Sequence, residues 1–236
     1  MVRQDEAIFL RKTKYGETGF VLSLLTKDSG VQSFILQGIK GKRKSLIASL
    51  HPLAILDIEY LPSKSGTISR LLEANILDNV SLMRADMTKS AMSFFLSEII
   101  WKSLPENENY PHLYAYIKAS IHFLNGHKKA PSFHLIFMMR FTKFLGFYPS
   151  GEYKSREFFD LREGQFTTLR PSHLHYLEPP KAKFIWGLLN AHFDESLKLG
   201  REESRELLEV LVEYYHIHLE KFGQLKTLRV LHEVFD

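Results

Sequence analysis

Apolar residues in the first eighty positions come in short runs broken by turn chemistry. Ala7 to Leu10, Phe20 to Leu25, Val31 to Leu36, Leu53 to Leu61 and Thr67 to Leu77 are rich in Val, Ile, Leu and Phe, the composition of β-strands. Asp57, Glu59, Ser69 and Glu73 supply the partial alternation of strands with one wet face. Three compact turns separate the runs: Lys14-Tyr15-Gly16-Glu17, Lys27-Asp28-Ser29-Gly30 and Pro62-Ser63-Lys64-Ser65-Gly66. Five short strands in this length predict a small barrel, and the partly open five-stranded Greek-key barrel of the OB-fold matches both count and size.

From about Ser81 the period changes from two to three and four. Met87, Ala91, Phe94, Phe95 and Ile99, with Leu96, Ile100 and Leu104, form a broad helical stripe that Pro105 ends. Two further helices share one punctuation: Pro111 opens the first and Gly126 closes it, and Pro131 opens the second and Gly146 closes it. Proline fits a first helical turn because its missing N–H had no partner there, and glycine fits the left-handed residue after a helix. Phe158 to Leu169 reads instead as a hairpin turning at Glu163-Gly164. Pro179-Pro180 then precedes a helix from Ala182 to Phe193, a long amphipathic helix spans Arg201 to Lys221, and a short one spans Leu225 to Phe235. The expected fold is α+β: an OB barrel over residues 1–80, then a helical domain over 81–236 with a small hairpin near 158–169. The junction near Asn79 to Leu82 has no linker composition.

The chain has 236 residues, a net charge of +4 and no cysteine. Disulfides, thiolate metal sites and cysteine catalysis are therefore excluded. The charge is only mildly basic, so any anion site must come from clustering. The N-terminus is broken by charges and lacks the apolar core of a signal peptide, and no apolar run is long enough to span a bilayer. The expectation is a cytoplasmic protein with no membrane association.

One cluster stands out. Gln37-Gly38-Ile39-Lys40-Gly41-Lys42-Arg43-Lys44-Ser45 joins small residues, which let a backbone approach a phosphate, to four cations with no acid among them. Arg11, Lys12 and Lys14 form a second cluster at the end of the first strand, and in an OB barrel both would border one groove. Tyr15, set in a turn beside Lys14, is the best base-stacking candidate. The predicted nucleic-acid surface is thus Arg11, Lys12, Lys14, Tyr15, Lys40, Lys42, Arg43 and Lys44. The same loop is not a P-loop: only two residues separate Gly38 from Gly41, and Arg43 stands where a hydroxyl is needed. No G-x-S-x-G elbow or H-E-x-x-H cluster occurs among the eleven histidines. His216 and His218, two apart on a helix, diverge by about 200°. No catalytic residue, metal site or bound cofactor is expected.

Several of these segments, in this order, resemble the bacterial RecO family of DNA repair proteins. The carrying residues are Tyr15-Gly16-Glu17-Thr18, then Leu24-Leu25-Thr26 with Gly30, then Gln37-Gly38 and the basic loop, then Leu50-His51-Pro52-Leu53. Ser97-Glu98, Leu145-Gly146-Phe147 and Phe222-Gly223-Gln224-Leu225-Lys226-Thr227-Leu228 match the family's helical landmarks. The resemblance implies a non-catalytic recombination mediator of the RecF pathway. Such a protein binds single- and double-stranded DNA, anneals complementary strands and acts with RecR to load recombinase onto strands coated by single-strand-binding protein. It places the DNA-binding loop on Lys40, Lys42, Arg43 and Lys44. Many relatives carry a four-cysteine zinc module after the L-G-Y/F landmark; this chain has none, so its hairpin must hold by packing. The family also binds the acidic, Phe-ending tail of single-strand-binding protein, for which Lys118, Arg140 and Lys143 are candidates by residue type. Without the resemblance, the residues suit equally an RNA-binding OB protein with a helical interaction domain.

Overall fold

The computed structural model describes residues 1–38, 40–63, 67–128 and 130–235. Five strands, β1 (Arg3–Tyr15), β2 (Gly19–Thr26), β3 (Gly30–Leu36), β4 (Ile55–Leu61) and β5 (Ile68–Asp78), close into a barrel in the order β1-β2-β3-β5-β4. The β3–β5 pairing is parallel and all others are antiparallel. This is the expected OB-type barrel. Alternate residues point inward, so Phe9, Leu22, Leu24, Phe34, Leu56, Ile58 and Leu71 fill its core. A register shift between Phe9 and Arg11 marks a bulge in β1.

Helix α1 (Lys42–Ser49) lies between β3 and β4. The segment read as a basic loop is therefore a helix from Lys42 onward. Its other face explains why: Leu46, Ile47 and Leu50, at helical spacing, pack against the barrel core. Two further expectations change. The first strand continues to Tyr15, so Lys14 and Tyr15 pair with Phe20 and Gly19 on a ladder, not in a turn. The third expected turn falls partly on residues 64–66, outside the described residues, as does Ile39 of the basic segment.

Past the barrel come α2 (Ser81–Ala85), which the sequence pattern did not announce, α3 (Met87–Ser103) and α4 (Pro111–Gly126). Asp86 caps α3 by accepting the Lys89 backbone N–H at 3.0 Å. Helix α3 buries most of its surface, and its buried Ser93 and Ser97 hydroxyls donate to carbonyls three residues back. Met87 and Phe94, assigned by pattern to the apolar stripe, are exposed. The barrel, α1 to α4 and residues Leu225–Val234 form one compact unit.

The second unit, mainly His127–Gln224, contains α5 (Phe133–Leu145), β6 (Phe158–Asp160), β7 (Gln165–Thr167), β8 (Tyr176–Leu177), α6 (Pro179–Asn190) and α7 (Arg201–His218). The expected hairpin is real but has a third strand: the sheet order is β7-β6-β8. It is held by packing, with Phe159 buried against Phe166 and Tyr214, and Phe166 against Trp186. Pro179 and Pro180 form the first turn of α6, which ends at Asn190, short of Phe193. Helix α7 stops at His218, and the last helix, α8 (Leu228–Phe235), starts later than its leucine pattern suggests because Lys226 and Thr227 are held outside it.

Candidate nucleic-acid interface

Helix α1 has two faces set by the side chains of one short segment. Lys42, Arg43 and Lys44 occupy its exposed first turn, with exposed Lys40 just before it, while Ile47 and Leu50 anchor the opposite face. Arg43 differs from its neighbours. Its guanidinium donates to the Gln37 carbonyl at 2.7 Å and the Leu72 carbonyl at 3.1 Å, so it fastens α1 to β3 and β5. Lys40, Lys42 and Lys44 point their charges at solvent from a helix thus fixed.

The β1 cluster meets this helix through one residue. Lys12 Nζ donates to the Ile47 carbonyl at 2.6 Å, and burial pushes its pKa down. Arg11 points its guanidinium over the Trp101 ring of α3, 4.0 Å from the centroid, and donates to Thr13 Oγ1 at 2.8 Å. Lys14 and Tyr15 are exposed at the end of the strand. The structure therefore joins the two basic clusters at Lys12.

Beyond Lys12 opens a cleft of about 590 Å³ between β1 and α3. Phe9 to Lys12 form one wall, Leu50 and Pro52 the end nearest α1, and Phe94 and Trp101 the α3 side. The half-exposed Phe94 ring stands edge-on to His51, whose imidazole lies within hydrogen-bonding distance of Pro52 O (3.0 Å) and Ser90 Oγ (3.2 Å). Burial foremost lowers the His51 pKa, so this ring is neutral at physiological pH. Lys102 and Lys226 add cations to the margin. Glu98 is the carboxylate among the lining residues, and it accepts from the backbone N–H groups of Lys226 and Thr227 and from Thr227 Oγ1, at 3.1, 2.9 and 2.7 Å. Sequence reasoning passed over Phe94 and Trp101. Their signal was a spacing of seven, two helical turns on one face, offset from Phe95 and Ile99.

Two of the three candidate partner-binding cations are locally engaged. Lys118 of α4 pairs with both Glu6 oxygens, at 2.7 and 2.8 Å, in the first unit. In the second unit, Arg140 of α5 donates to Ala191 O at 2.6 Å and lies over Phe193, while Lys143 is exposed. Three histidines of the second unit take local partners: His173 faces Asp160, His175 faces Glu213, and His218 stacks on Phe147 and approaches Leu161 O. Among the described residues no group of three or more His, Asp or Glu side chains is placed to hold a metal ion, and no helix is long and apolar enough to cross a membrane.

A closed five-stranded OB-type barrel bearing a cationic helix, followed by helices and a small sheet, is an architecture of the OB-fold class, which nucleic-acid-binding proteins use among others. The family model for the recombination protein O N terminal matches residues 1–80, and that for the recombination protein O C terminal matches residues 84–229. The chain belongs to the RecO family. It is 34% identical over 245 residues to the DNA repair protein RecO of Bacteroides fragilis, covering all of both chains. It is 32% identical over 238 residues to that of Flavobacterium psychrophilum, covering 99% of each, and 30% identical over 241 residues to that of Azobacteroides pseudotrichonymphae, again over both full lengths.

Proposed function

We propose that this protein is a recombination mediator of DNA repair that binds single- and double-stranded DNA along α1 and the adjoining end of β1. Family membership supports the biological role. The observation that carries the binding reading is the exposed Lys42 and Lys44 on a helix whose base is locked by Arg43 and Lys12, with exposed Lys40 just before it. Such a surface neutralises backbone phosphates and releases their counterions. Two strands held there repel each other less, and the bases themselves supply pairing, which is strand annealing. Loading of recombinase with RecR, in the RecF pathway, on strands coated by single-strand-binding protein, follows from the family. Lys143, exposed on α5, is the candidate cation for that protein's acidic tail that lacks a hydrogen-bond or ion-pair role in holding the fold.

The test is anisotropy of labelled single-stranded DNA over a salt series, with an RNA oligomer of the same length as competitor. With about four phosphate contacts, log affinity falls against log salt with a slope of roughly −3. The triple variant Lys40→Ala/Lys42→Ala/Lys44→Ala, which spares the structural Arg43, reduces that slope by about 2 and slows annealing. An unchanged slope refutes the assignment of α1, and preferential displacement by RNA moves the protein to the RNA-binding class.

A further inference from the structure

The cleft between β1 and α3 backs onto the barrel core at Phe9 and Leu50, and its open side is built from groups that suit one ligand chemistry. Its floor is aromatic: Phe94 is 47% exposed, and Trp101 lies beside it on the same helix face. Its margin is cationic. The Arg11 guanidinium carbon stands over Trp101, 4.0 Å from the ring centre, with the Lys102 ammonium at 5.9 Å. The single carboxylate in the lining, Glu98, is engaged by three N–H and O–H donors of Lys226 and Thr227, and the cations Arg11, Lys12, Lys102 and Lys226 outnumber it, so the cleft presents net positive charge to a ligand. Its volume of about 590 Å³ falls within the roughly 300–1,000 Å³ of small-ligand pockets. Finally, it is continuous with the basic helix: Leu50 directly follows α1, and Lys12 both lines the cleft and bonds to Ile47 of α1.

We infer that this cleft is a base-capture site, in which an unstacked nucleobase of a single strand running along α1 lodges against Phe94 and Trp101 while Arg11 and Lys102 hold its flanking phosphates. The inference rests on the DNA-binding reading of α1 and deepens it. A planar π-system with a cation at its edge is what an aromatic floor under a guanidinium recognises, and stacking of this kind tolerates any base. The bulge at Leu10 has a use here, since an extra residue in one strand re-aims the side chains that follow it. A duplex has no free base to offer, so the cleft adds affinity for single strands alone, whereas the α1 lysines serve both forms.

The chain has two tryptophans, Trp101 and Trp186. A Trp186→Phe background leaves Trp101 as the reporter inside the cleft. Titration with oligothymidylate is expected to quench Trp101, and duplex DNA of the same length is not. Phe94→Ala, at a half-exposed position, is expected to weaken oligothymidylate binding by on the order of 5- to 150-fold, with the salt slope unchanged and duplex affinity intact. Phe94→Tyr restores the affinity, which separates lost stacking from lost folding. If the parent binds with its steep salt slope but Trp101 is silent and Phe94→Ala binds normally, the base-capture site is refuted and the α1 reading stands. An abasic strand that binds as tightly as oligothymidylate refutes it equally. If the parent does not bind oligonucleotides at all, the α1 reading itself falls. If Trp101 responds to an acidic peptide with a bulky apolar carboxy-terminus and not to oligothymidylate, the cleft is a peptide groove and the inference is overturned.

Discussion

Gly30 sets the most demanding steric condition in the barrel. It sits at the start of β3 with φ +70°, and a methyl group on its Cα would overlap the Glu108 carbonyl oxygen and lie 2.8 Å from the Glu108 carbonyl carbon. The opposing atoms are backbone, so no rotamer change relieves the overlap. Gly30→Ala must therefore push the 106–108 segment off β3. That segment is held by the Asn107 N–H to Val31 O bond at 2.9 Å, Gln32 Nε2 to Asn107 Oδ1 at 3.1 Å, and Ser33 Oγ to Glu106 Oε1 at 3.0 Å. The left-handed backbone costs alanine about 1–2 kcal/mol. Losing two or three partly exposed hydrogen bonds at roughly 0.5–1 kcal/mol each adds about 1–3 kcal/mol. The expected total is about 2–5 kcal/mol, a large share of the typical 5–15 kcal/mol stability of a domain. Gly16 provides the control: its φ is +60°, but nothing lies within 4 Å of its would-be Cβ. Gly16→Ala should cost only the backbone part. Urea unfolding followed by Trp101 fluorescence, in a Trp186→Phe background, measures both in the first unit. Equal destabilisation by the two substitutions would refute the contact argument.

Two other outcomes are expected. Burial alone would raise the Glu6 carboxyl, but hydrogen bonds from Lys118 and Tyr114 and the Lys118 charge outweigh it and hold its pKa below 4.5. A carboxyl depressed on folding contributes stability that is complete above its unfolded pKa and is lost as pH falls through the folded value. Glu6→Gln should thus cost on the order of 1 kcal/mol at pH 7, allowing for solvent screening of the half-exposed Lys118. The gap between the variant's and the parent's urea midpoints should narrow as pH falls below about 4.5 toward the lowered folded-state pKa; a gap that stays constant over that fall contradicts the assignment. In the second unit, Tyr214 donates its hydroxyl to the Phe147 carbonyl at 2.7 Å. Tyr214→Phe should destabilise that unit by about 1–2 kcal/mol, read by Trp186 fluorescence in a Trp101→Phe background, and no loss of stability would show that the carbonyl finds another donor.

What was legible in the sequence was what short-range chemistry controls. The five strands follow from β-branched runs between turns, and α4 follows from Pro111 and Gly126, because backbone preferences act over a few residues. The order of the landmark segments sufficed for the family. The α1 helix was half legible: Leu46, Ile47 and Leu50 carry helical spacing, but the adjacent run of cations and glycines reads as a loop until the barrel supplies the apolar surface those three residues cover.

Tertiary structure alone decided the rest. Barrel closure through the parallel β3–β5 pair joins segments whose sequence carries no mark of which neighbour each will take. Nothing local shows that Arg43 spends its guanidinium on Gln37 and Leu72 while Lys42 and Lys44 face water. Phe94 belonged to a stripe by periodicity, and the cleft it lines is completed by Arg11, Lys12 and Lys226 from distant parts of the chain. Hydrophobicity determines that a side chain seeks a partner; which side chains remain for a ligand is settled only when every element has been placed.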